Sequence, residues 1–458
     1  MINKTLPSRP SLTHLRHQAK ELLTKRNNGD EQAAGRFEEA HSRFKPVAGE
    51  RDKKIALADA QFVIAREYGF ASWPKLKEHV EQLEDVEQRV KRLRSTFAAA
   101  DEATRERLLR CVHTKERFKN YTPGATTLSE EDARLVVANA EGYALWDKFE
   151  SYLDLAPEVK RVIQAAKAGK LKELETLLAA EPAAANPRWV GANRRHGSIP
   201  NDSVPLFCAS EGVFNGTNRS GNDYEIAQAL IRAGADVEIE RGLPLTGAVS
   251  YNAAGVVRAL LEGGAPVDGP DGRGAPMAYA LYFGFAAIAE QLARHGAQAD
   301  LRFAAGLGRL AEMESYFGAD GLIDPSHAGR LGDPYEDRFR CERTRENVLS
   351  QALFFGCMNG KLEAADFLIR KGADINAFVP GLDVDLTILH WLTNISGGKA
   401  ADAEAIESQR IPIVEYLLDH GATVNICDPK FNSTPIGWAN YHGRTQMAAQ
   451  MKRARPPL

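Results

Sequence analysis

Few residues of this chain are spaced for chemistry. Its eleven histidines do not cluster at metal-ligand spacing, and no H-E-x-x-H, P-loop, G-x-S-x-G or EF-hand loop is present. Gly306-Leu307-Gly308-Arg309-Leu310-Ala311 matches the dinucleotide fingerprint G-x-G-x-x-A. That motif cradles a pyrophosphate only where it follows a strand and opens a helix, and here it falls at a turn between helices. Carboxylates gather at Asp333, Glu336 and Asp337, and at Asp383 and Asp385. General acid–base work would need one of them desolvated in a cleft, whereas polar surface loops leave such acids solvated. Arg194 and Arg195 beside His196 could fork onto a carboxylate or phosphate, although three adjacent basic residues also suit a solvated turn. No catalytic residue, metal or cofactor is expected, and the chain reads as non-enzymatic.

The residues better suited to binding than to reaction lie in two stretches, 183–203 and 318–346. The first carries Arg188, Trp189, Arg194, Arg195 and His196; the second carries Tyr335, Arg338, Phe339, Arg340, Arg343 and Arg345 among several acids. Trp, Tyr and Arg combine large apolar area with directed hydrogen bonds, the composition of interface hot spots.

Composition narrows the partner. The 458 residues carry a net charge of −3, with 27 Lys+Arg against 25 Asp+Glu in residues 1–155 and 31 against 36 in the rest. No basic half stands ready to neutralise a phosphate backbone, so no nucleic-acid partner is expected. The five cysteines are far apart and never form a C-x-x-C pair, which fits a reducing compartment. No apolar run of about 18 residues marks a membrane span. Prolines, basic residues and histidines occupy positions 1–20, where a leader needs an apolar core, so a soluble cytoplasmic protein is expected.

The elements that position these residues are read from two internal periods. In the first, Asp59-Ala60-Gln61-Phe62-Val63-Ile64-Ala65-Arg66-Glu67-Tyr68-Gly69-Phe70-Ala71-Ser72-Trp73 is echoed 73 residues later by Asp132-Ala133-Arg134-Leu135-Val136-Val137-Ala138-Asn139-Ala140-Glu141-Gly142-Tyr143-Ala144-Leu145-Trp146. Each copy has helical apolar spacing, a Gly where a left-handed helix end is needed, and a Trp opening the next helix. Residues 14–25, 73–80, 86–97 and 146–153 are expected to be helices. Residues 1–155 therefore form a helical region of two tandem similar units, with both Trp residues in the core.

The second period fills residues 159–451. Gly360-Lys361-Leu362-Glu363-Ala364-Ala365-Asp366-Phe367-Leu368-Ile369-Arg370-Lys371-Gly372-Ala373-Asp374-Ile375-Asn376 resembles the second half of an ankyrin repeat, and Thr434-Pro435-Ile436-Gly437-Trp438-Ala439 resembles the first half. Gly-Ala recurs at 234, 264, 296, 372 and 421, and a helix-starting Pro recurs at 205, 244, 276 and 435. Thr387-Ile388-Leu389-His390 keeps the Thr, Leu and His of that signature. The resemblance implies an all-α fold in which residues 156–458 make an ankyrin-repeat solenoid of about eight irregular repeats, with helix-turn-helix units and short hairpin fingers. His390 would brace a turn. Residues 11–155 are in turn similar to the helical segment that precedes ankyrin repeats in some bacterial proteins.

Regular units run about 33 residues, and four stretches overshoot. Residues 183–203 and 318–346 extend the finger level; residues 214–223 and 396–411 are insertions between inner and outer helices, at the opposite edge, with no expected role. Aligning the inner helices on their small residue places Glu211, Ser250, Tyr251, Tyr282, Phe283, Met358, Asn359, Asn394, Tyr441 and His442 on the concave face. Exposed aromatics there need a cover, which points to a partner. The expected function is non-catalytic recognition of another protein by this face and the finger loops, with no membrane involvement. The alternative is a small-molecule or anion-binding protein, which could include an enzyme, with a pocket under the long fingers near Tyr282, Phe283 and Arg340.

Overall fold

The computed structural model describes residues 4, 6–7, 10–45, 55–110, 122, 124–143, 145–190, 199–270, 272–323, 342, 344–382, 384–394 and 400–454. Among these the fold is all-α, and backbone pairing outside helices takes the form of isolated bridges such as Leu155 with Trp189. No helix among them is long and apolar enough to cross a membrane. The chain divides into two compact units, Met1–Gln164 with Leu177–Pro205, and Ala165–Thr176 with Leu206–Leu458.

The first unit contains α1 (Leu12–Asn27), α2 (Glu31–Ala40), α3 (Leu57–Glu67), α4 (Trp73–Ala99), α5 (Glu102–Arg110), α6 (Glu130–Ala140) and α7 (Trp146–Leu153). Side-chain caps set several starts: Asp30 accepts the Ala33 amide at 2.8 Å, and Ser129 accepts that of Asp132 at 3.0 Å. Residues 73–80 and 86–97, expected as separate helices, run together in α4. The intervening Glu81-Gln82-Leu83-Glu84-Asp85 has neither Gly nor Pro to stop a helix. One helix thereby serves both copies of the repeat. Its start packs on α3, and its remainder packs on α6. There Val86, Val90 and Phe97 join Val137, Phe149 and Leu153 in a core flanked by Tyr143 and Trp146.

A buried polar group lies beside α4. The Lys160 ammonium donates to the Leu153 carbonyl at 2.6 Å and to Gln82 Oε1 at 2.9 Å. Burial lowers its pKa to about 8. His79 is 1% exposed, its ring nitrogens make no hydrogen bond, and Nε2 lies 3.9 Å from Asp154 Oδ1. Burial first, and the Lys160 charge second, push the imidazole down to about 3.

From α8 (Pro157–Lys167) and α9 (Leu171–Ala180) onward the described helices come in consecutive pairs. In the second unit these are α10 (Pro205–Phe214) with α11 (Asp223–Arg232), α12 (Ile239–Ser250) with α13 (Ala254–Glu262), and α14 (Ala275–Phe283) with α15 (Ala286–Arg294). The shorter α16 (Leu301–Leu307) and α17 (Leu310–Glu314) follow. After them come α18 (Arg345–Met358) with α19 (Leu362–Arg370), α20 (Ile388–Thr393) with α21 (Ala400–Asp419), and α22 (Pro435–Tyr441) with α23 (Thr445–Arg453). Inner helices pack on inner helices from α12 to α22, and outer on outer, the stacking of an ankyrin-type solenoid.

The repeated punctuation has a mechanical reason. Gly234, Gly264, Gly296, Gly372 and Gly421 take φ between 88° and 97°, the left-handed step that ends each outer helix. The next residue then returns its amide to the helix, as Ala373 does to Leu368 O at 3.0 Å. His390 is buried as a brace: its Nδ1 accepts from Thr387 Oγ1 at 2.8 Å, and its Nε2 donates to Ser433 O at 3.1 Å, in the finger of the following hairpin. Asn376 links fingers similarly, donating to Gly421 O at 3.0 Å and accepting from Thr423 N at 2.8 Å.

The fifth pair, α16 and α17, lacks the Thr-Pro-Leu start. Asp300 caps α16 instead, accepting the Phe303 amide at 3.0 Å and pairing with buried Arg302, which reaches Gln351 Oε1 at 3.3 Å. Gln351 in turn donates to Pro380 O at 2.9 Å. The fingerprint glycines are packing residues here. A Cβ on Gly306 would stand 2.8 Å from Leu281 Cδ1, and Gly308 ends α16 at φ 74°.

Both inter-helix insertions have structural roles that repeat spacing did not reveal. Residues 214–223 are tied back to the turn after α8, where Thr217 Oγ1 donates to Lys167 O at 2.8 Å and Asn222 Nδ2 donates to Gly169 O at 2.9 Å. Residues 400–411, placed by the repeat spacing in an insertion before the outer helix, are the first part of the 20-residue helix α21. That extension carries two buried charges. Glu407 accepts the Gln446 and Met447 amides, both at 3.1 Å, at the open N-terminus of α23. Arg410 donates to Met358 O at 3.2 Å and Leu392 O at 3.1 Å, where α18 and α20 end.

Candidate binding face

Within the second unit, the residues expected on a concave face sit at one recurring place, the C-terminal end of successive inner helices. Glu211 lies in the last turn of α10, Ser250 ends α12 and Tyr251 caps it, and Tyr282 and Phe283 end α14. Met358 and Asn359 close α18, Asn394 caps α20, and Tyr441 and His442 close α22. Each of these helices stops within five residues of its small residue, and within three in all but α10, so the side chains that follow fall at the helix end.

Their surroundings divide them into three groups. At the first hairpins, the Tyr251 ring stacks on Phe214 at 4.7 Å and meets Phe207 edge-on at 5.4 Å. Phe214 is 53% exposed and Tyr251 half-buried, so the stack presents an apolar platform. Glu211, beside it, is held by Lys167 at 2.5 Å.

The middle group departs from expectation. Tyr282, Met358 and Asn359 are buried and offer no surface to a partner. The short α16 is the cause. Beyond its last turn, α14 reaches α18 directly. Asn359 Nδ2 donates to Leu281 O at 2.8 Å, and Tyr282 packs against Phe354 and Trp391 at 6.1 and 5.8 Å. These three residues therefore hold the array together. Phe283 remains half-buried, next to Phe285 at 5.6 Å and Tyr279 at 6.1 Å, and Asn394 is half-buried at the end of α20.

The last hairpin is the most open. Tyr441 is 86% exposed, and Phe431, in the finger before α22, is 59% exposed. His442 lies against Trp438 at 5.5 Å and against Tyr441 at 5.1 Å. Burial first and Arg444 second lower the His442 pKa, disfavouring the charged imidazolium. Trp438 is fixed by Asp428, whose Oδ2 accepts its indole N–H at 2.9 Å. Phe214, Phe431 and Trp438 were not singled out from sequence as binding residues: Phe214 was assigned to an insertion and Trp438 to the repeat framework.

The finger-loop residues do not join this face in what is described. Trp189 belongs to the first unit, where its indole N–H donates to Ser151 Oγ at 3.3 Å and its backbone bridges Leu155. Arg194, Arg195, Tyr335 and Arg340 lie outside the described residues, as does most of the pocket envisaged beneath the long fingers. Among the described residues, no group of three or more His, Cys, Asp or Glu side chains is placed to hold a metal ion.

No family model matches the chain. A curated Caenorhabditis elegans protein, ankyrin repeat and KH domain-containing protein mask-1, is 25% identical over 252 residues, which cover 53% of this chain and 8% of that protein. The chain thus spans under a tenth of that relative's length. Among solved structures, the human ASB11 ankyrin repeat domain aligns with 65% of this chain and 98% of its own, at 17% identity and a TM-score of 0.31. The ankyrin repeat domain of Bcl-3, titled a unique member of the IkappaB protein family, aligns with 64% and 97%, at 17% identity and a TM-score of 0.27. The chain is similar to ankyrin repeat proteins through its Gly-Ala helix ends, first-turn prolines and His390 brace, together with the identity to the nematode protein.

Proposed function

We propose that this chain is a non-catalytic scaffold that recognises another protein along the C-terminal ends of its inner helices and its fingers. One observation carries the reading: large aromatic side chains reach the surface at the ends of inner helices, exposed Phe214 stacked on half-buried Tyr251 in the first hairpins of the second unit and exposed Tyr441 in the last. Rigid aromatics lose little conformational freedom on binding and bury large areas, which is why they anchor interfaces. Phe283, Asn394, Glu211 and His442 supply the half-buried polar and apolar margin between them. Tyr282, Met358 and Asn359 act from beneath, by fixing the helix ends that present it. The mask-1 likeness supports a repeat module of this kind, and the whole activity of that much longer protein is not carried over.

The test is capture from a cell extract by the full chain, beside a variant with Phe214→Ser, Tyr251→Ala and Tyr441→Ala whose circular dichroism and thermal midpoint match the wild type. A protein retained by the wild type and lost by the variant is then purified and its direct binding measured. Equal capture by both chains would rule out recognition by this face.

A further inference from the structure

The last hairpin carries a charge opposite to that of the whole chain. Residues 422–454 hold Lys430, Arg444, Lys452 and Arg453 against one acid, Asp428, in a protein whose net charge is −3. Asp428 is 1% exposed, and its oxygens are taken by the amides of Lys430, Phe431 and Ser433 and by the Trp438 indole. The acids of α21 that reach this hairpin are likewise engaged, Glu407 by the Gln446 and Met447 amides and Glu415 by Gln450 Nε2 at 2.7 Å. On α13 and α19 the cations are matched, Arg258 lying 3.9 Å from Glu262 and Arg370 2.6 Å from Asp366. Among the described residues, none of the four cations of the last hairpin pairs with a carboxylate.

The aromatic side chains of the same hairpin form one connected run. Lys430 Nζ stands 5.3 Å from the Phe431 ring, Phe431 meets Trp438 at 5.7 Å, Trp438 meets His442 at 5.5 Å, and His442 meets Tyr441 at 5.1 Å. Both ends of the run are open, at Phe431 and at Tyr441, while the bond from Trp438 to Asp428 holds its middle in place. Anchors fixed before contact lose little freedom on binding, and unpaired cations around them favour a negative partner over a positive one.

We propose, resting on the reading of this face as one for protein recognition, that the last hairpin docks an acidic segment of the partner. An apolar side chain of that segment covers the run from Phe431 to Tyr441, and its carboxylates lie in the positive field of Lys430, Arg444, Lys452 and Arg453. A second copy of the chain laid hairpin to hairpin would instead bring like charges together.

The experiment is selection of a random peptide display library on the full chain, with counter-selection on a Phe431→Ser, Tyr441→Ser variant whose thermal midpoint matches the wild type; both side chains are exposed, so the fold does not depend on them. The recovered peptides are expected to carry an excess of Asp and Glu around an aromatic or aliphatic residue. The strongest of them, synthesised, is expected to bind the variant at least about tenfold more weakly. Lys430→Gln is expected to weaken it about threefold, the effect of one exposed pair, and rising salt to weaken it progressively. Ring-dependent peptides that are neutral or basic would overturn the acidic partner and leave the recognition face standing. Recovery of no ring-dependent peptide would overturn both readings at this hairpin. Binding indifferent to both salt and Lys430→Gln would overturn the proposal. Self-association in sedimentation, or binding to vesicles containing phosphatidylserine, would overturn it equally if lost in the variant, by naming a different cover.

Discussion

Acid should weaken the first unit through one residue, His79. The imidazole is buried against the Phe70 ring at 5.2 Å and faces Asp154 and Lys160. Its folded pKa of about 3 stands below the ordinary 6.5. Above pH 6.5 the ring is neutral in both folded and unfolded chains and contributes nothing to the difference between them. As the pH falls below 6.5 the unfolded chain takes up a proton that the folded chain refuses, so stability falls until the folded ring also titrates near 3. Each pH unit in that window costs about 1.4 kcal/mol, and the whole window about 4 to 5 kcal/mol. Between pH 7 and pH 5 the loss is about 2 kcal/mol. Because the ring nitrogens make no hydrogen bond, His79→Leu removes the proton site without orphaning a partner. Urea unfolding of wild type and His79→Leu, followed at both pH values, isolates the term, since the other carboxylates and histidines titrate alike in both chains. The variant should gain about 2 kcal/mol on the wild type between pH 7 and pH 5. A difference that stays flat would refute the reasoning: the ring would then be charged in the folded chain, paired with Asp154 across the present 3.9 Å.

Three further outcomes follow from buried groups. Lys160, with a folded pKa of about 8, penalises folding while both states hold its proton, and stability should rise between pH 8 and the ordinary 10.5 as only the unfolded chain remains charged; Lys160→Met should flatten that rise in urea titrations. Asp300→Ala takes the paired carboxylate from the buried Arg302 guanidinium and should cost about 3 to 5 kcal/mol by urea midpoint, more than Arg302→Met, which removes the charge itself. Asp428 accepts the amides of Lys430, Phe431 and Ser433 and the Trp438 indole, bonds that outweigh burial and lower its pKa. Its contribution is therefore present above the ordinary carboxylate pKa and is lost below it, and Asp428→Asn should speed amide exchange at Phe431 and Ser433 at neutral pH.

What sequence makes visible here is punctuation. A Gly that must turn left-handed, a Pro tolerated in a first turn and a His between two hydrogen-bond partners each act locally, so the hairpins and the His390 brace are legible from residue types alone. Helix lengths are less so. The join in α4 lies in a stretch of good helix formers that carries no stop signal, and α21 runs on through Pro412, a residue that ordinarily ends or kinks a helix. Burial of Tyr282, Met358 and Asn359 is further out of reach, because it depends on α16 being short enough for α14 to meet α18. Arg410 was hidden for the same reason, inside a stretch that the regular period has no slot for.

The bridging of α14 to α18 and α20 past a stunted neighbour alters how the array would come apart under load. In a regular solenoid each hairpin touches only the next, so tension applied at one end peels units off singly, in equal small steps. Here a pull on the C-terminus would first release the α22–α23 hairpin once Glu407 lets go of its amides. The hairpins from α14 to α21, cross-strapped by Tyr282, Asn359 and Arg410, would then give way in one long extension at higher force. A face carried on such a block keeps its spacing while the end beyond it frays.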